Sequence, residues 1–265
     1  MFVVGDKNGN LGFFKLSTFE EIKTMRPHNK AVKDLLFMND GKTLYSGSLD
    51  GYLVRTDLNI FSCNNLEGNE GPISAIANPL NGLTLFTANG TKICEWDILQ
   101  NKYLVKFDAH DYKVTGLLYI HQRDVLVSCS KDKNIRIWNP ITKECLGCLE
   151  GHLESIKSLT FGYVKEHLNI VSIGKDSVIT FWDLDDKDFT KSFRMRSVAK
   201  SVFYLGDRKN FMTVHGDRKF YIWNTEKEES KLFFPENVNF TGYNRGCYMD
   251  DGTSIVLATQ DGSLQ

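Results

Sequence analysis

The sequence predicts an all-β fold assembled from repeated antiparallel sheets of four short strands, and three observations predict it. Four tryptophans, Trp96, Trp138, Trp182 and Trp223, recur at intervals of 42, 44 and 41 residues, and each is followed by Asp or Asn. Six residues ahead of them stand the turn residues Gly90, Asp132, Asp176 and Asp217. The stretches around each turn are rich in apolar, β-branched and aromatic residues, and none carries the apolar period of a helix.

In chain order, the same phasing continues where tryptophan does not. One period before Trp96 lies Thr56-Asp57 and a further period back Phe14-Lys15, with Asp50 and Asn8 at the corresponding turns. Small polar residues surround the turns, as in SGSLDG, SCSKDKN and SIGKDS, which is hairpin chemistry recurring in register. The segments before the turns (TLYSG, DVLVS, NIVSI) and after them (NIRIW, SVITFW, KFYIW) read as strands apolar enough to be covered on both faces. Between 27 and 30 residues ahead of the markers comes His28, Gly68-Asn69, Ala109-His110, Gly151-His152 or Met195. Four residues later Val32, Ile73, Val114, Ile156 or Ala199 opens a further strand. Each period thus holds four strands, the content of one unit in a radial array.

With 265 residues, 42% hydrophobic and 25% charged, the chain has the composition of a folded protein with a sizeable core. A formal net charge of −1 supplies no overall basic field for nucleic acid or membranes, so any electrostatic site has to come from local sorting. The opening MFVVGDKNGN reaches a charged turn too early for a signal-peptide core, and no later apolar run approaches a membrane span. A cytoplasmic or nuclear protein, not a secreted one, is expected. Its six cysteines, Cys63, Cys94, Cys129, Cys145, Cys148 and Cys247, are then expected to be free thiols.

Gly-His, a hairpin Asp and Trp-Asp at this period resemble the WD-repeat family, and the resemblance runs over essentially the whole chain. It implies a single β-propeller over residues 1–265, built of four-stranded antiparallel blades. Seven blades are expected, five complete and two partial. A six-bladed ring is the alternative, should the segment from Tyr243 to Met249 complete the first blade. Because the chain opens inside a blade at Phe2 to Gly5 and stops before the marker due six residues after Asp261, a longer parent chain is expected.

In the family, a His, a strand Ser or Thr, the turn Asp and the Trp of a blade are hydrogen-bonded in a row. The resemblance assigns those roles to His110, Ser128, Asp132 and Trp138, and to His152, Ser172, Asp176 and Trp182. Three blades depart from the pattern: one has His28, Ser46 and Asp50 but Thr56 for Trp, one has Thr213, Asp217 and Trp223 but no His, and the blade around Trp96 lacks both His and turn Asp. Those blades are expected to be less rigid.

These roles take His28, His110 and His152 away from catalysis. His215 reads as turn chemistry beside Gly216 and Asp217, and His121 and His167 fall in loop segments. Cys145 and Cys148 with His152 imitate a zinc spacing (CLGCLEGH), but residues three apart on a strand point to opposite faces and no second ligand pair exists in the sequence. The acids of DLDDKD (Asp183, Asp185, Asp186, Asp188) and EKEE (Glu226, Glu228, Glu229) follow a marker, where the family places a surface turn. Neither a glycine-rich phosphate loop nor a GxSxG elbow occurs. No enzyme, metal or cofactor is therefore expected.

In the family, the loop leading into the first strand of each blade and the hairpin carrying the turn Asp open on one face around the central channel. The residues flanking each strand-opening position, with those preceding each hairpin Asp, include Lys33, Lys113, Lys131, Lys157, Lys175 and Lys200, and no acid. With the acidic runs at the opposite end, the expectation is a non-catalytic scaffold, a subunit of a multiprotein complex. Its lysine-rich rim would dock other proteins, acidic or phosphorylated peptides in particular. A nucleic-acid or phospholipid reader is the alternative, and a steep fall of affinity with salt would mark it.

Overall fold

A computed structural model describes the chain except residues 67, 69, 80, 81, 165, 166, 187, 208, 218, 228, 234–242, 249–254 and 260–265. For residues 188–190, 233, 243–248 and 255–259 it describes the backbone alone. Every regular element among the described residues is a β-strand. No helix among them is long and apolar enough to cross a membrane.

The chain divides into two compact units, residues 1–128 with 138–144 and residues 129–137 with 145–265. In the first, β1 (Phe2–Gly5), β2 (Leu11–Phe14) and β3 (Glu21–Met25) form a three-stranded sheet. The next sheet runs β4 (Val32–Phe37), β5 (Thr43–Ser48), β6 (Leu53–Asp57), β7 (Ser62–Asn65), and the one after it β8 (Ile73–Ala77), β9 (Thr84–Asn89), β10 (Lys92–Asp97), β11 (Lys102–Asp108). A further sheet has the order β12 (Val114–Ile120), β13 (Val125–Ser130), β14 (Ile135–Trp138), β15 (Cys145–Leu149). In the second unit follow β16 (Ile156–Val164), β17 (His167–Gly174), β18 (Val178–Asp183), β19 (Asp188–Arg194), and then β20 (Ala199–Tyr204), β21 (Asn210–His215), β22 (Phe220–Asn224), β23 (Glu229–Phe233). A pair, β24 (Tyr243–Tyr248) and β25 (Ile255–Thr259), ends the described chain. The described residues thus hold five four-stranded sheets and two smaller ones, as the period predicts. The six-blade alternative rested on the segment from Tyr243 to Met249 completing the first sheet; its described part, β24, pairs with β25, and Met249 and Asp261 lie outside the described residues.

Inner strands are covered on both faces and outer ones are not, which explains the continuous apolar runs read from the sequence. Every residue of β5 and β8 is buried, whereas β3 is mostly exposed. Neighbouring sheets interleave within each unit. Tyr45, Leu53, Ile73, Ile76, Cys94 and Trp96 share one core in the first, and Val171, Phe181, Val202, Phe211 and Trp223 share one in the second.

Two local devices repeat with the period. The Asp or Asn after each marker caps the following turn: Asp57, Asp97, Asn139, Asp183 and Asn224 each accept two successive backbone N–H groups, two and three residues on. Five residues after the first four markers a residue adopts positive φ to close that turn: Phe19 (57°), Phe61 (53°), Asn101 (54°) and Lys143 (66°). The second device is a bulge at the start of the first strand, where the register shifts between Val32 and Asp34, Ile73 and Ala75, Ile156 and Ser158, and Ala199 and Ser201. The bulged residues are Lys33, Ser74, Lys157 and Lys200.

Candidate functional site

The residues that the resemblance assigns to the blade ties make the following contacts. His152 pairs through Nδ1 with Asp176 Oδ2 at 2.8 Å and through Nε2 with Ser172 Oγ at 2.7 Å, and Trp182 Nε1 donates to the same Ser172 Oγ at 2.8 Å. His110 Nε2 and Ser128 Oγ are 2.7 Å apart, and Trp138 Nε1 donates to Ser128 at 2.8 Å. Asp132 caps its own hairpin by accepting the Asn134 N–H at 3.0 Å. His28 repeats the arrangement with Ser46 (2.8 Å) and Asp50 (3.1 Å), and Thr56, in the place of Trp, contacts Cys63 Sγ at 3.3 Å. Burial pushes the His28 pKa down against the pull of Asp50. Burial would raise that of Asp50, but the Asn29 and Tyr52 amides and the His28 ring hold it below the ordinary carboxylate value.

In two of the departing sheets other side chains take the missing places. His215 is no turn residue: it ends β21, is fully buried, and bonds Thr213 Oγ1 at 3.0 Å and Ser197 Oγ at 2.8 Å, while Trp223 Nε1 donates to Thr213 at 2.9 Å. In the Trp96 sheet, Trp96 Nε1 donates to Thr87 Oγ1 at 2.8 Å. Thr87 donates to Asn89 Oδ1 at 2.6 Å, and Asn89 Nδ2 donates to the Gly71 carbonyl at 2.8 Å. Both substitutes stand two residues after the strand Thr, a spacing the sequence displays but whose role appears only once the strand is folded.

Of the other candidates, Cys145 and Cys148 are exposed free thiols on β15, and burial pushes the Cys148 pKa up. His121 packs against the Tyr119 ring, whose hydroxyl donates to Asp124. His167 lies 3.4 Å from Asp183 on the surface. The side chains of Asp188 and Cys247, and Asn69 and Glu228 altogether, lie outside the described residues.

The lysines occupy the ends of the sheets where the turn Asp sits. Within a sheet, the Lys175 N–H donates to the Ser155 carbonyl at 2.9 Å and the Leu49 N–H to that of Ala31 at 3.0 Å, so the hairpin and the leading loop meet at one end. In the second unit Lys157, half-buried at its bulge, has its ammonium pKa pushed down, first by burial and then by the like charges of Lys175, Lys200 and Lys131. Those four therefore share one electrostatic neighbourhood. In the first unit Lys33 is exposed at its bulge and Lys113 directly precedes β12, while Ser74 turns inward to bond the carbonyls of Val114 (2.7 Å) and Ala88 (3.2 Å).

The opposite end holds the turns after the markers. Turns after the markers carry exposed acids in the second unit, at Asp185, Asp186 and Glu226. In the first unit the same turns display Phe19, Ile60, Leu99 and Ile141, between 55% and 80% exposed. The two acidic runs named from the sequence both fall in the second unit.

Comparison with known proteins agrees with this geometry. The model of the WD domain, G-beta repeat, matches residues 19–54 and 101–139. The chain is 25% identical to human pre-mRNA-processing factor 17 over 211 residues, covering 76% of this chain and 36% of that protein. It is 22% identical over 244 residues to cilia- and flagella-associated protein 337 B of Tetrahymena thermophila, covering 88% of this chain and 19% of that one. To subunit I of eukaryotic translation initiation factor 3 from Schizosaccharomyces pombe it is 29% identical over 113 residues, covering 43% and 34%. The chain thus spans about a third or less of the length of these relatives. The two matched repeats, the phased four-stranded sheets and the recurring Trp–Ser/Thr ties are what this chain shares with WD-repeat proteins.

Proposed function

We propose that the chain is a non-catalytic docking platform that holds partner proteins within a larger assembly, taking acidic or phosphorylated segments at the lysine-bearing end of its sheets. The observation that carries this reading is the gathering of Lys131, Lys157, Lys175 and Lys200 around a half-buried ammonium. Like charges held together raise the free energy of the empty site, and an arriving carboxylate or phosphate relieves that repulsion while forming charge-assisted hydrogen bonds. The bulges support the reading, because an extra residue re-aims a side chain away from the pleat. The names of the relatives, a pre-mRNA-processing factor and a subunit of a translation initiation factor, fit work within assemblies.

The test is binding of a fluorescent phosphoserine peptide, an all-glutamate peptide and their uncharged counterparts to the wild-type chain and to a variant with those four lysines changed to Glu. At about 1.5–3 kcal/mol per charged contact, the variant loses at least roughly a hundredfold in affinity for both acidic peptides with its melting curve unchanged. Equal binding by an intact variant overturns the reading. Preference for an oligonucleotide or an anionic vesicle over both peptides replaces it with nucleic-acid or phospholipid recognition.

A further inference from the structure

At the other end of the first unit, a groove of about 300 Å³ lies between the β4–β7 and β8–β11 sheets. Met38, Tyr45, Ile98 and Leu99 give it apolar walls, and Arg55 and Asn78 supply polar groups beside Asn39, Asp40 and Thr43. Asn78 is 7% exposed, and its Oδ1 has no hydrogen-bond partner among the described residues, an unusual state for a buried amide. Arg55 feels Asp40 and Tyr45 only through space, and its guanidinium makes no hydrogen bond or ion pair among the described residues. Asp40 is committed elsewhere, accepting from Lys42, Thr43 and the Thr43 hydroxyl.

The corresponding place one sheet further on shows what such a groove looks like when filled. There Phe86 pairs in register with Glu95, as Tyr45 does with Arg55. Lys143, on the positive-φ residue of the next marker turn, lays its stem over the Phe86 ring, 5.0 Å from ammonium to centroid, and reaches Glu95 Oε2 at 2.8 Å. In the Arg55 groove that backbone position belongs to Asn101, which cannot supply a counter-charge to a cation.

We propose that this groove is a second docking site, for a segment of a partner protein that presents a glutamate beside an apolar side chain. The glutamate stem covers Tyr45 as Lys143 covers Phe86, and its carboxylate engages the Arg55 guanidinium, a match favoured by the bidentate geometry of Arg with carboxylates. The neighbouring apolar side chain enters between Met38 and Leu99, and a backbone N–H of the segment meets Asn78 Oδ1. Leu83 and Leu99, 51% and 69% exposed, extend the apolar surface around the groove. The site is separate from the lysines and does not rest on their function.

The test titrates acetyl-Leu-Glu-amide and its isostere acetyl-Leu-Gln-amide, to millimolar concentration, into the isotope-labelled full chain, following the side-chain signals of Arg55 and Asn78 by NMR. The acidic probe is expected to shift both signals saturably and to bind about tenfold more tightly than the amide, the worth of one charge-assisted contact. Arg55→Gln abolishes the preference, and Lys157→Glu leaves it intact. Absence of shifts at Arg55 and Asn78, equal affinity for the two probes, or a preference that survives Arg55→Gln overturns the proposal. The wild-type comparison decides even if a variant fails to fold. Self-association lost on Arg55→Glu would name a second copy as the occupant and likewise overturn it.

Discussion

Ser172 uses a single hydroxyl twice, accepting from Trp182 Nε1 and, with the His152 Nδ1–H turned to Asp176, donating to His152 Nε2, so its removal strands both rings. Ser172→Ala is expected to destabilise the chain by on the order of 3 kcal/mol, measured by chemical denaturation, because the orphaned buried indole N–H and imidazole nitrogen each keep their desolvation cost. The position two residues on explains how different sheets solve one problem. Where a His arrives from the leading loop, that position holds Ser48, Ser130 or Gly174. Where none arrives, it holds Asn89 or His215. At Gly174 an added Cβ would stand 2.7 Å from His152 Nδ1 and also against the Asp176 carboxylate. Gly174→Ala is therefore expected to part that pair and lower the melting temperature, whereas a tie indifferent to this site would leave it unchanged. Burial lowers the pKa of His28 and of His215 from the ordinary 6.5, with Asp50 and Asp217 respectively pulling the other way. A base depressed on folding binds protons more readily when unfolded, so stability is full above pH 6.5 and falls as the pH drops from there through the folded pKa values. Denaturation midpoints across that window check this, and His215→Asn should flatten the slope. The Trp period and the turn Asp were legible in the sequence. The substitute roles of Asn89 and His215 were not, because they depend on which side chain reaches the strand Thr through space.

Strands in this chain are held to the neighbouring sheet by a few polar contacts as well as by apolar packing. In the first unit Asp34 of β4 accepts the Ile76 N–H of β8 at 2.8 Å, and Ser74 of β8 donates to the Val114 carbonyl of β12 at 2.7 Å. Ser74→Ala is expected to cost about 1 kcal/mol, since it deletes the donor and leaves a carbonyl with capacity to spare. Asp34→Ala is expected to cost more, about 1–3 kcal/mol, because it leaves a buried N–H unpaired. Urea denaturation of the two variants checks both size and order, and reversal of the order would show that the Ile76 amide finds another acceptor. Bulges at the head of the first strands were invisible in the sequence. Apolar spacing marks where a strand opens, whereas the register shift after Val32 or Ile156 is decided by pairing with β5 or β17.

Charge across the whole chain nearly cancels at −1, so long-range attraction of an acidic partner has to arise from sorting. The association rate of an acidic peptide is therefore expected to fall as salt rises, and the variant with Lys131, Lys157, Lys175 and Lys200 changed to Glu should lose most of that dependence. Stopped-flow fluorescence checks it, and a salt dependence untouched by the four substitutions would place the attraction elsewhere. By itself the sequence determined the strand content, the period, the capped turns and the resemblance to WD repeats, because each of these is written as residue type at fixed spacing along one strand or turn. Tertiary structure alone decided which histidines and amides complete the ties, which turns of the first unit expose Ile60, Leu99 and Ile141, and that Arg55 and Asn78 line one groove. Those outcomes depend on side chains from different sheets meeting through space, and linear spacing carries no record of who stands opposite whom.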